Sequence, residues 1–253
     1  MARQTLSRAR IVTAALDLLD AEGLEGLNMR ALGKRLDSAA TAVYWHVGSR
    51  ESLIALAADR AWAEVELPDP DVAGWRTAAY RMAASEYAML TRHPWLVQAF
   101  GSYQLYGPGK ARHDDHSLAV YEAAGLVGAE ADQATSAVFT FVLGNALGPA
   151  AAASFTRKLG RDGGDVQALM QANRAEIAGV AAQFPRLRAR IELPFAEYAA
   201  APAGSFEFGL QVVLDGLEAR LAARAGPGLT SQARSGDLRE ASKTTAEASR
   251  GVH

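Results

Sequence analysis

The sequence predicts an all-α protein. Ala makes up 54 of its 253 residues and has the strongest helix propensity of any residue. β-branched runs are scarce, and apolar residues recur at three- and four-residue spacings along most of the chain. Cys is absent, which excludes disulfides, thiolate metal sites and Cys nucleophiles and fits a reducing interior.

The elements follow in order. Ser7 is placed to cap a first helix with Ile11, Ala15, Leu18 and Leu19 on one face, ended by Gly23. Asn28 caps a second helix, Met29–Leu36, with Met29, Leu32 and Leu36 on one face and Arg30, Lys34 and Arg35 off it. Asp37-Ser38 breaks the pattern before a short third helix, 39–46. Ser49 caps a fourth, 50–66, and Pro68-Asp69-Pro70-Asp71 stops it. Further helices are expected at 72–91, 95–104, 111–125, 130–153, 165–183 and 204–224. Three prolines leave 184–203 irregular or broken. Residues 226–253 read as a disordered tail, rich in Ser, Thr and charge with few large apolar residues.

Three segments result: 1–66, three helices with a linking fourth; 67–225, a helical body, to which the family resemblance described below assigns ligand binding and dimerisation; and the tail. The net charge of −2 gives no sign of a nucleic-acid partner. Its distribution says more, because residues 1–50 hold seven Lys or Arg against five acids, a locally basic face. No signal peptide is visible in the polar, basic first ten residues. The uncharged run 133–156 is long enough to span a bilayer, but Gly144, Gly148 and Pro149 interrupt it and no aromatic belt flanks it. A buried helix is expected, and no membrane.

Two short helices across a tight turn, with Leu32 and Leu36 set to pack on Val43 and Val47, have the shape of a helix-turn-helix. Residues 38–46 offer small side chains for close approach and polar or aromatic tips. Arg30, Lys34 and Arg50 are placed for phosphates. Spacing alone leaves open a helical subdomain with a solvated basic face.

The residues themselves go further. The run Ile11–Leu19 with Glu22–Leu27, Met29–Leu36, Val43-Tyr44-Trp45-His46-Val47 and Leu53-Ile54 resembles the TetR family of transcriptional regulators. Tyr44-Trp45-His46 is similar to the tetracycline-repressor branch, and Phe206–Leu221 to its last helix. The resemblance implies a cytoplasmic homodimer that grips double-stranded operator DNA and is released by a small-molecule effector. It implies DNA contacts at Arg30, Ala40, Thr41, Ala42, Tyr44, His46 and Arg50. Ala39 to Ala42 differ in type from the tetracycline repressor, so a different operator is expected. Trp45 is expected in the core.

Large side chains crowd 62–141, where such a fold holds a cavity. The candidate lining is Trp62, Met82, Glu86, Trp95, Phe100, Tyr103 and Phe141, with Asn145 as a polar tip. The branch's pocket His, Asn and Phe fall at Glu66, Met82 and Glu86, so an apolar, aromatic effector other than tetracycline is expected. His113-Asp114-Asp115-His116 has metal spacing but reads as an exposed helix start, and no metal or cofactor is expected. Segment 133–156 and helix 206–221, with Phe208, Val212, Leu217 and Leu221 as a stripe and Gly209 and Gly216 permitting close approach, suggest the dimer face. An enzyme acting on a hydrophobic substrate is the first alternative, but no nucleophile–base set or phosphate loop is visible. A helical binding protein without DNA contact is the second.

Overall fold

A computed structural model describes residues 6–161, 165–191 and 195–225. The expected tail at 226–253 lies outside the described residues. Twelve helices and no strand occur among those described: α1 (Arg8–Gly26), α2 (Met29–Arg35), α3 (Ala40–Val47), α4 (Arg50–Trp62), α5 (Pro70–Ala73), α6 (Trp75–Arg92), α7 (Pro94–Ala99), α8 (Pro108–Ala123), α9 (Ala129–Arg161), α10 (Val166–Ala181), α11 (Pro185–Ile191) and α12 (Phe195–Ala225). The chain divides into compact units at Met1–Val213 and from Leu214 onward. The second unit is described to Ala225 and is helical throughout.

Local chemistry sets the first elements. Ser7 Oγ accepts from Arg10 N at 3.3 Å, Asn28 Oδ1 from Ala31 N at 2.8 Å and Ser49 Oγ from Ser52 N at 3.0 Å. The regular part of α1 ends at Gly23, whose φ of 73° and ψ of −175° interrupt the helix before one further turn. Between α2 and α3, Ser38 N donates to Gly33 O at 2.9 Å and Asp37 N to Lys34 O at 3.3 Å. With Asp37 in the left-handed region at φ 51°, this is a Schellman turn. It folds α3 back onto α2, and Leu32, Leu36, Val43 and Val47 are all buried.

Beyond α4 the elements are shorter or longer than the sequence pattern suggests. Gly74 divides the first expected helix into α5 and α6, and α7 stops at Ala99. α8 begins at Pro108, three residues early, with proline in its first turn. α9 runs on to Arg161 with Pro149 inside it. It is long and apolar enough to cross a membrane by length and composition. Here it packs on α6, α7 and α8, burying Ala131, Ala134, Val138, Val142, Ala146 and Ala150 along one stripe.

α4 ties the N-terminal helices to the rest of the first unit. It packs on α1 and on α8. At the α8 crossing Gly109 N donates to Asp59 Oδ1 at 2.6 Å, and a Cβ on Gly109 would stand 2.5 Å from Asp59 O. Only glycine permits that approach.

Candidate functional site: a helix-turn-helix face and a cavity between helices

Val43 and Val47 point into the core, so the opposite face of α3 is free. On it Trp45 is 84% exposed and Tyr44 46%. Thr41 is exposed, Ala40, Ala42 and His46 are partly so, and Arg30 and Lys34 are exposed on α2. Trp45 therefore departs from the core placement expected of it. It stands two residues from each buried valine, about 200° around the helix. Its ring meets His46 edge to face at 5.0 Å.

Arg50 is turned inward rather than toward a phosphate. Its Nε donates to Leu27 O at 2.9 Å, one terminal nitrogen donates to Leu24 O, and the other to Tyr103 Oη at 2.9 Å. The guanidinium thus closes the α1–α2 corner and joins it to the segment before α8.

A second seam links α1 to α7. Asp20 Oδ1 accepts from Trp95 Nε1 at 2.8 Å and lies 2.7 Å from His93 Nδ1. His93 Nε2 is 3.3 Å from Glu64, which also binds Arg92 at 2.5 Å. Burial opposes the charge on His93, but the Asp20 and Glu64 carboxylates outweigh it and raise its pKa.

Between α6, α8 and α9 lies a cavity of about 290 Å³, near the lower end of ligand-pocket sizes. Met82, Leu118, Val138 and Phe139 supply apolar lining; Glu86, His113, Ser117, Tyr121 and Thr135 supply polar groups. Lys110 and Asp114 form an ion pair there. The Lys110 ammonium lies 4.9 Å from the Trp62 ring centroid and 5.0 Å from that of Phe139. Burial raises the Glu86 pKa to about 8 despite Lys110. It lowers that of His113 to about 4, against the hydrogen bond that His113 Nδ1 donates to Asp114. Burial also raises Tyr121, helped by Glu86. Both Glu86 and His113 are therefore neutral near pH 7.

Of the expected lining, Met82 and Glu86 face this cavity. Trp62 and Phe100 stand behind it, Trp62 4.8 Å from His113 and both about 6 Å from Phe139. The other four lie elsewhere. Trp95 is held by Asp20 and Tyr103 by Arg50. Phe141 joins Phe206 at 5.7 Å, beside the Tyr87–Phe206 stack at 4.1 Å. Asn145 donates to Phe141 O one turn back at 2.8 Å. Glu66, at the branch's pocket-His position, is exposed and paired with Arg81.

His113 is buried, not on an exposed helix start, because Pro108 begins α8 a turn earlier. Its partner in the metal-like spacing, His116, turns to Pro68 O at 2.8 Å. Among the described residues no three His, Asp or Glu side chains assemble as a metal site. The stripe His113, Ser117, Val120, Tyr121, spaced four, three and one, was the sequence signal for this wall of the cavity.

Comparison with known proteins places the chain. Residues 11–57 match the model of bacterial regulatory proteins of the tetR family, and 67–221 that of the tetracyclin repressor-like C-terminal domain. An HTH-type transcriptional regulator of Saccharopolyspora erythraea is 34% identical over 140 residues, 55% of this chain and 59% of that protein. The HTH-type transcriptional repressor DrrR1 of Streptomyces coeruleorubidus is 31% identical over 225 residues, 88% of this chain and 82% of that one. The crystal structure of ActR from Streptomyces coelicolor in complex with actinorhodin superposes with a TM-score of 0.66 at 28% identity, covering 85% of this chain and 97% of that one.

Proposed function

The chain belongs to the TetR family of bacterial regulatory proteins, and from that premise we propose a repressor whose operator grip is released by a small aromatic molecule. The observation that carries this reading is the pairing of a free α3 face with a cavity on α8 lined by buried polar side chains, joined through α4.

Residues 1–66 act as the DNA-reading domain and 67–225 as the sensing and dimerising domain. Arg30, Thr41, Tyr44, Trp45 and His46 meet the operator, with Ala40 and Ala42 allowing close approach. Trp45 offers an apolar ring to base edges and sugar, the kind of contact a thymine methyl accepts. Arg50 orients this surface from behind.

Ligand and DNA compete through α4. A molecule in the cavity touches Lys110 and His113 on α8, and α8 holds α4 through Asp59 and Trp62. It releases DNA only by binding the displaced arrangement more tightly than the DNA-competent one. That ActR, at 28% identity, was solved in complex with actinorhodin supports a small-molecule effector for this fold.

The protein acts as a cytoplasmic homodimer without enzymatic or membrane function. Phe208 is 75% exposed and Val212 53%, on a helix whose other face is buried at Phe206 and Leu210. Leu147 and Phe155 of α9 are exposed as well. Apolar patches of this kind are covered in a stable protein, and a second copy does so by two-fold symmetry.

The test is footprinting on DNA upstream of the protein's own gene, at physiological salt with excess competitor. A protected, two-fold symmetric site is expected. Arg30→Ala, Tyr44→Ala and Trp45→Ala should each weaken binding to it by about 1–3 kcal/mol while the dimer stays folded. Unchanged affinity in all three refutes the assigned face.

A further inference from the structure

Five polar atoms around the cavity are buried without a hydrogen-bond partner: Glu86 Oε1, His113 Nε2, Tyr121 Oη, Thr135 Oγ1 and, behind the wall, Trp62 Nε1. One such atom costs stability, and four on residues that line one cavity make it a site suited to a polar group that can pair with them.

Their chemistry can be specified. His113 Nδ1 lies 3.3 Å from the Asp114 carboxylate, which accepts a hydrogen bond from Nδ1–H. Nε2 of the neutral ring is then a bare acceptor. Glu86 Oε2 lies 3.8 Å from that nitrogen. A neutral Glu86 has one hydroxyl to donate. An oxygen seated beside both would have to accept from one and donate to the other. A hydroxyl does both, whereas an ether or carbonyl does only one.

We propose that the Glu86–His113 pair recognises a phenolic hydroxyl on a flat aromatic effector, which accepts from Glu86 and donates to His113 Nε2. The aromatic frame lies among Met82, Leu118, Val138 and Phe139, which also line the cavity. Tyr121 and Thr135 offer hydroxyls to a second oxygen of the same molecule. An anionic group finds no free cation here, since Lys110 is paired with Asp114. A cationic amine would bring a second positive charge close to Lys110. This inference deepens the effector-pocket reading and rests on it.

The experiment measures direct binding to the full chain by quenching of Trp fluorescence. The probes are naphthol against naphthalene and a hydroxyflavone against flavone, with naphthylmethylamine as the cationic control. The phenol of each pair should bind at least about tenfold more tightly than its parent, because leaving both buried groups unpaired is costly. Glu86→Leu and His113→Leu should abolish that preference while the parents still bind, and Glu86→Gln, a neutral donor, should keep it. Equal affinity within both pairs overturns the phenol assignment and leaves the pocket standing. So does a preference that survives both leucine variants, or tighter binding of the amine than of naphthol. Failure of every probe to bind overturns the pocket reading along with it.

Discussion

At Glu86 burial and charge pull in opposite directions, and burial wins. The folded carboxyl releases its proton near pH 8 and the ordinary one near 4.5, so between these values the folded state holds the extra proton. Stability must therefore fall as pH rises through that window. Glu86→Gln should remove the slope and gain roughly 1–3 kcal/mol at neutral pH, read by urea denaturation at a series of pH values. A slope equal to the parent's would mean that Glu86 ionises normally. His113 works the other way. Its folded pKa of about 4 lies below the ordinary 6.5, so its contribution is complete above 6.5 and lost on acidification toward 4. Arg50 gives a sharper contrast. As a structural tie its removal to Ala should cost about 1–3 kcal/mol of stability through the abandoned Leu24 and Leu27 carbonyls, leaving the salt dependence of DNA binding unchanged. A phosphate contact would instead flatten that dependence by about one unit of slope. Residue type alone could not decide this, since Arg at the start of α4 suits either partner. What decides it is the carbonyls that the α1–α2 corner leaves open beside it.

The helix-turn-helix is the element most legible in the sequence, because its signals are local. Ser7, Asn28 and Ser49 cap the helices they precede, and Leu32, Leu36, Val43 and Val47 meet as their spacing requires. Trp45 went unread for a simple reason. α3 is only eight residues and mostly apolar, so hydrophobicity does not name its buried face, whereas the Val43/Val47 spacing does. In the body, Gly74 and Pro108 shift helix boundaries by a few residues, enough to carry His113 from an imagined surface to a buried wall. The tight turn has its own test. A Cβ at Gly33 would stand 2.7 Å from Ser38 O, a backbone atom that cannot yield without moving the turn. Gly33→Ala should cost about 1–3 kcal/mol and weaken operator binding through misplacement of α3. Thermal melting and DNA affinity together check it, and an unchanged melt would show that the turn adjusts freely.

Across the whole molecule, the proposed repressor needs two copies that hold two recognition helices at the pitch of the duplex. Assembly is the scale that a single chain reveals least, because partner contacts leave only an uncovered apolar face in one copy. Phe208→Glu with Val212→Glu should shift sedimentation from dimer to monomer, while far-ultraviolet dichroism keeps its helical signal. A dimer of undiminished stability would move the interface elsewhere. Coupling between cavity and α3 requires an element with two arrangements, and α4, fixed to α8 at Gly109 and to α1 by packing, is the element that both share. Selection of bound sites from random-sequence duplexes shows whether a symmetric dimer reads DNA through α3. Enrichment of an inverted repeat, its half-sites about one helical turn or a multiple apart, is the predicted result. Enrichment of a site without two-fold symmetry, or of no site at all, would contradict it.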